Sequence, residues 1–181
     1  FAARYAPLGF GVAPETLALM QELVNQGEIN HLTPERIWKE TQRALLEDRA
    51  DVYFEVLRQC GALKVIMPEV DALFGVPQRP EYHPEVDTGI HTLMTLQRAC
   101  EAQYSDRVRF ATVLHDLGKA LTPADLLPRH AEHEARGVEP IRALCQRLKV
   151  PSQYQQLAEL VCREHLLCHR VMELRPGTIW R

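Results

Sequence analysis

Residues 109 to 121, RFATVLHDLGKAL, set an imidazole and a carboxylate side by side, His115 and Asp116, then a glycine and a lysine, in an otherwise apolar stretch. Polar groups of this kind are expensive to bury without partners. Imidazole plus carboxylate suits a borderline transition ion such as Mn, Fe, Co, Ni or Zn better than calcium. Adjacent helical residues point about 100° apart, so the doublet can share one ion only if that ion lies beside the helix in a cleft. Gly118 would let a backbone or ligand come close. Lys119, about one turn on, could reach a phosphate drawn to the metal. An isolated His–Asp pair is more often a hydrogen-bonded core histidine beside a structural ion pair, so the context decides.

That context is three further histidines. His91 lies in DTGIHTLMTL, 24 residues upstream of His115; His133 and Glu134 lie near a helix start in HAEHEARGVEPI; His165 lies in CREHLLCHR. Seven of the eight histidines (His83, His91, His115, His130, His133, His165 and His169) fall after residue 80, and only His31 precedes them. Several helices thus each offer an imidazole that could face the doublet. Core packing alone accounts poorly for that.

The elements that must carry these residues read as helices throughout. Pro14 suits the first turn of a helix bearing Leu17, Leu19, Met20, Leu23 and Val24, with Gly27 past its end. In LTPERIWKETQRALL, Thr33 is a natural N-cap and Pro34 a natural first helical residue. A third helix runs from about Ala50 to Cys60 and ends at Gly61. FGVPQRPEYHPEVDTG, residues 74 to 89, holds three prolines and two glycines and cannot continue a helix. The spacing beyond it predicts helices near 88–103, 106–119, 131–148 and 152–168. Sustained two-residue alternation with β-branched enrichment is absent. The expected fold is all-α and multi-helical, with two helical subdomains, residues 1–75 and 80–181.

Composition narrows the class. Hydrophobic residues make up 46% and charged residues 25%, ordinary for a globular chain. The formal charge of −3 gives no global basic field of the nucleic-acid-binding kind. A membrane-spanning run of roughly 20 apolar residues is not found. Five cysteines, odd in number and without a CxxC pair, fit a reducing cytoplasmic compartment. FAAR reads like the middle of an amphipathic helix and TIWR ends without a stop signal, so the expectation is an excerpt of a longer protein.

The order His91, then His115–Asp116 with Leu117–Gly118–Lys119, then His133 and His165 resembles the HD superfamily of metal-dependent phosphohydrolases over about residues 80 to 170. FAARYAPLGFGVAPETLALM, LTPERIWKETQRALL, YHPEVDTGIHTLMTL and HDLGKALTPADLLPRHAEHEARG, in this order, extend the likeness over essentially the whole chain. In that arrangement the chain resembles the bacterial CCA-adding enzymes, the tRNA nucleotidyltransferases with a C-terminal HD domain. The resemblance implies addition or repair of the tRNA 3′ CCA end from CTP and ATP, with magnesium held by paired aspartates in a head domain. Neither that motif nor the base-reading segment is visible here. Residues 1 to about 75 would be the end of the neck and the tRNA-supporting body.

For the HD domain, the resemblance implies phosphatase, 2′-nucleotidase and 2′,3′-cyclic phosphodiesterase activity with nickel or a similar ion. Its metal positions map onto His91, His115 and Asp116. Its later histidines map onto His133 and His165, taken with Lys119 as catalytic: the lysine stabilises phosphoryl oxygens, and a free imidazole protonates the leaving alkoxide. HD enzymes usually close the metal site with a late aspartate, whereas here none follows Asp125. That ligand lies beyond Arg181, or His165 or Glu164 replaces it, or the site is incomplete.

Other residues read more plainly. His130 is expected exposed at a helix start, His169 on the surface, Cys162 and Cys168 as small buried hydrophobes. Glu85 and Asp87 are expected to cap the helix carrying His91. Arg36, Lys39 and Arg43 form a basic stripe, either a tRNA-backbone contact or, with Glu35, Glu40 and Glu47 interleaved, a solvated face. Expected partners are tRNA and a phosphoester or 2′,3′-cyclic nucleotide, with no membrane, in a monomer or weak homodimer. The alternative function is an inert helical scaffold that binds tRNA or a second subunit. A signalling HD phosphodiesterase fits the first 75 residues less well.

Overall fold

A computed structural model describes residues 1–169, and among these every regular element is a helix. The α-helices are α1 (Ala2–Tyr5), α2 (Pro14–Asn25), α3 (Pro34–Leu45), α4 (Ala50–Gln59), α5 (Ala62–Ile66), α6 (Pro68–Asp71), α7 (Thr88–Glu101), α8 (Asp106–Leu114), α9 (His133–Arg147) and α10 (Ser152–His169). Short 3-10 turns fill several joints, among them Leu117–Leu121. The all-α expectation holds.

Helix starts follow local chemistry. The Thr33 hydroxyl accepts from the Arg36 amide with Pro34 in the first turn, and Ser105 caps α8 by accepting from the Val108 amide. Gly61 follows α4 with φ +80°, a left-handed conformation that favours glycine.

The apolar stripe of α3 packs on the second half of the chain. Trp38 sets its ring edge-on to Phe110 of α8 and Tyr154 of α10, with centroids 5.2 and 4.9 Å away. One buried cluster runs from Trp38 through Phe54, Leu96, Phe110 and Leu144 to Cys162. The loop at 76–87 therefore joins two halves that share a core.

Arg109 strengthens that junction. It is 4% exposed, and its Nη1 donates to the carbonyls of Leu45 and Glu47, each at 2.9 Å. Those carbonyls lie where α3 ends, and the end of a helix leaves acceptors without intrahelical donors. Arg109→Leu is expected to destabilise the chain by roughly 2–3 kcal/mol, read as a lower urea midpoint at unchanged slope.

One expected helix is shorter than its pattern. The segment 106–119 leaves α-geometry after Leu114: His115 is the C-cap and Asp116 turns out at φ −107°, ψ 11°. The following 3-10 turn lies so close to α9 that a Cβ on Gly118 would stand 1.9 Å from the His133 carbonyl oxygen. Packing against α9 overrides a good local helix pattern.

Candidate metal centre

Four elements deliver the site. Asp87 caps α7 by accepting from the Ile90 amide at 2.9 Å, while its other oxygen accepts from the Gly75 amide at 2.6 Å. This anchors the first turn of α7, which carries His91. The turn after α8 supplies His115, Asp116 and Lys119; α9 opens with His133; α10 brings His165.

Asp116 is the hub, with 1% of its side chain exposed. Its Oδ2 lies 3.2 Å from His115 Nε2, 2.8 Å from Lys119 Nζ and 4.0 Å from His91 Nε2. Its Oδ1 lies 3.2 Å from His133 Nε2 and 3.6 Å from His165 Nε2. The two histidine Nε2 atoms meet at 3.2 Å. Lys119 also donates to Gln78 Oε1 at 2.6 Å.

The ring orientations have a common cause. Nδ1 of His115 donates to the Thr112 carbonyl, that of His133 to the His130 carbonyl, that of His165 to the Cys162 carbonyl, and that of His91 to Glu85 Oε1. With Nδ1 committed as donor, each neutral ring turns its Nε2 lone pair toward Asp116. Lone pairs converging on a carboxylate repel one another unless a cation lies among them. Both Asp116 oxygens, moreover, are buried without a hydrogen bond of good geometry among the described residues. The donor set therefore fits a cation, and its imidazole and carboxylate chemistry fits a borderline divalent one. Two ligand groups share Asp116, namely His91–His115–Asp116 and Asp116–His133–His165; a third, His83–Glu85–His91, lies further out.

Electrostatics agree. Burial would push the Asp116 carboxyl up, but the neighbouring His115 and His133 rings and the Lys119 ammonium outweigh it and hold the group well below the usual carboxylate range. Burial lowers His91 and His165. His115 is likewise opposed by burial, yet the Asp116 charge carries it above its ordinary value. A proton on His115 thus stands where a metal would compete for the same lone pair.

The structure brings His91, His115, Asp116, Lys119, His133 and His165 together in one cluster. Glu164 joins none of the ligand groups among the described residues. Four expectations need correction. Asp87 caps α7, but Glu85 does not: it turns back to bind His91 and lies 3.3 Å from His83 Nδ1. His130 is half-buried, accepting from the Thr122 hydroxyl and donating to the Pro77 carbonyl at 2.9 Å, because it bridges the two loops beside the site. Cys162 is buried but Cys168 is exposed, since α10 turns that face to solvent. Finally, Asp116 does not sit in helix at all. The side chain of His169 lies outside the described residues.

Sequence reasoning missed Gln78, Glu85 and His83 as neighbours of the site. An acid six residues before His91 was the one available signal. Arg36, Lys39 and Arg43 lie exposed on α3, with Arg43 paired to Glu40 at 3.0 Å.

The chain matches the family described as "Probable RNA and SrmB- binding site of polymerase A" over residues 9–74 and the HD domain family over residues 88–175. It is 66% identical over all 181 residues to the multifunctional CCA protein of Acinetobacter baumannii and 65% to that of Acinetobacter baylyi. It is 56% identical over 179 residues to that of Tolumonas auensis. In each case it spans 44% of the relative's length.

Proposed function

Because this chain belongs to the family of the multifunctional CCA proteins, we propose that its second half is a divalent-metal phosphohydrolase and its first half a support for tRNA. The substrates we assign to the HD site are phosphomonoesters, nucleoside 2′-phosphates and 2′,3′-cyclic nucleotides. Transfer of CMP and AMP to tRNA from CTP and ATP, with magnesium, we assign to the part of the relatives' length that this chain does not span. Arg36, Lys39 and Arg43 are the proposed contacts to the tRNA backbone, and the setting is cytoplasmic.

The observation that carries the hydrolase reading is the convergence of four Nε2 atoms on the buried Asp116 carboxylate. His91, His115 and Asp116 would hold the ion, nickel or another transition metal. Such an ion, when bound, supplies an activated water and offsets negative charge on phosphoryl oxygens.

The remaining groups belong to the chain. Lys119, fixed between Gln78 and Asp116, sets a cation beside the phosphoryl oxygens. His133 lines the neighbouring cavity, and a proton bound between its Nε2 and that of His165, 3.2 Å away, would make one of the two rings cationic, since both Nδ1 atoms already donate. That proton is placed to reach the leaving alkoxide, which must gain one as its bond to phosphorus breaks.

The test is hydrolysis of adenosine 2′,3′-cyclic phosphate by the purified chain with Mn, Co, Ni or Zn salts, alongside metal content per chain. Turnover with at least one ion, abolished by chelation and restored by that ion, is expected at one metal per chain. No turnover with every ion overturns the reading. A stoichiometry of two would instead make His133 and His165 ligands.

A further inference from the structure

Next to the histidine cluster lies a cavity of about 330 Å³ between the 77–83 and 128–131 segments, within the size range of small-molecule sites. Lys119 and His133 form its inner end, Gln78 part of its wall, and Arg79, Tyr82 and Arg129 its outer part. None of the described residues lining it is acidic. Arg79 and Arg129 are exposed, and the Tyr82 ring is 73% exposed. A cavity with guanidinium groups and an aromatic face beside a phosphoester centre suits an anion that carries a ring.

Gln78 gives the sharper sign. It is 2% exposed, and its Oε1 accepts from Lys119 Nζ. An ammonium can only donate, so that contact assigns the oxygen and leaves Nε2 as the other end of the amide. Among the described residues, Gln78 Nε2 is buried without any acceptor. A buried donor left unpaired is unfavourable, and a ligand oxygen in the cavity would satisfy it. The backbone holds the residue there, since the Gln78 amide donates to the Val86 carbonyl at 2.6 Å. His130 ties the neighbouring Pro77 carbonyl to the opposite loop.

We propose that this cavity is a nucleotide subsite, in which Gln78 Nε2 donates to a phosphoryl oxygen, Arg79 and Arg129 balance its charge, and Tyr82 stacks on the base. This rests on the phosphohydrolase reading above and names its recognition residues. Simple phosphate esters can use the first three groups but not the fourth. Preference for a nucleoside phosphate over bare phosphate is therefore the property of Tyr82.

The experiment is calorimetric titration of the chelator-treated chain with adenosine 2′-monophosphate and with inorganic phosphate. The wild-type chain should favour the nucleotide by about tenfold or more, and Tyr82→Ala should remove most of that ratio. Arg129→Gln should weaken both ligands by a similar factor. The side-chain amide resonance of Gln78 should shift on adding either ligand, which tests that residue without a buried substitution. Equal affinities in the wild-type chain, an unchanged ratio in Tyr82→Ala, or a Gln78 resonance indifferent to both ligands would overturn the subsite. A chain that binds with these dependences but never hydrolyses would overturn only the hydrolase reading. An active chain with equal affinities would do the reverse.

Discussion

Asp116→Asn is expected to weaken divalent-ion binding by at least about a hundredfold, beyond the range usual for losing an outer-shell partner, and to bring cyclic-phosphate hydrolysis to background. Among the described residues, Asp116 is the only carboxylate within 4.0 Å of the Nε2 atoms of His91, His115, His133 and His165. An amide of the same shape keeps one acceptor and removes the charge. The ion would then face neutral imidazoles and the Lys119 ammonium, which repels it. Competition against a chromophoric chelator measures the affinity directly. Retention of wild-type affinity would show that the ion sits elsewhere.

The same substitution should also alter the metal-free chain. Asp116 is the anion for Lys119, whose side chain is 8% exposed, and for His115. Removing one partner of a buried pair typically costs about 3–5 kcal/mol. The sign with pH follows from the direction of the shift. The Asp116 carboxyl titrates lower in the folded chain than in the unfolded one, so its stabilisation is full above the unfolded carboxylate pKa of about 3.9 and fades as pH falls through the folded value. Asp116→Asn should flatten that acid-side loss in a series of denaturant melts.

Gly118→Ala is expected to cost about 3 kcal/mol, the upper end for overpacking, and to lower Tm by roughly 6–12 °C. The reason is space. Its Cβ would stand 1.9 Å from the His133 carbonyl oxygen and 2.6 Å from the Gly137 amide nitrogen. Both are backbone atoms of α9, so no rotamer change relieves the clash. Moving α9 away would also carry His133 out of the cluster and weaken ion binding. Gly11→Ala is the contrast, with nothing within 4 Å of its Cβ, and should leave Tm within about a degree, as surface changes do. Thermal melts by circular dichroism with and without the ion separate the two effects. Equal melting of Gly118→Ala and the parent chain would mean that the 3-10 turn does not press on α9.

Much of the site was legible before any fold was known. His91, His115, Asp116, Lys119, His133 and His165 stood out because imidazoles and a carboxylate on apolar helix patterns need an explanation that packing does not supply. Glu85 was misread, because an acid near a helix start ordinarily caps it. Asp87 took that role, and Glu85 was left to hold His91 Nδ1 at 2.6 Å. Gln78 gave no signal at all. A glutamine in a proline-rich loop has neither periodicity nor a motif, and it matters only because Lys119, 41 residues on, folds against it.

By itself the sequence determined an all-α chain, helix starts at Thr33, at Asp87 and near residue 106, and the residue types available to a metal. Those are local properties, set by helical period and by side chains that satisfy amides two or three residues away. Only the tertiary structure decided that the helix stops at Leu114, that Asp116 turns inward, and that Gln78 and Glu85 border the site. Each of these depends on a packing contact between segments distant in sequence, chiefly Gly118 against α9, and no local pattern encodes where two helices touch.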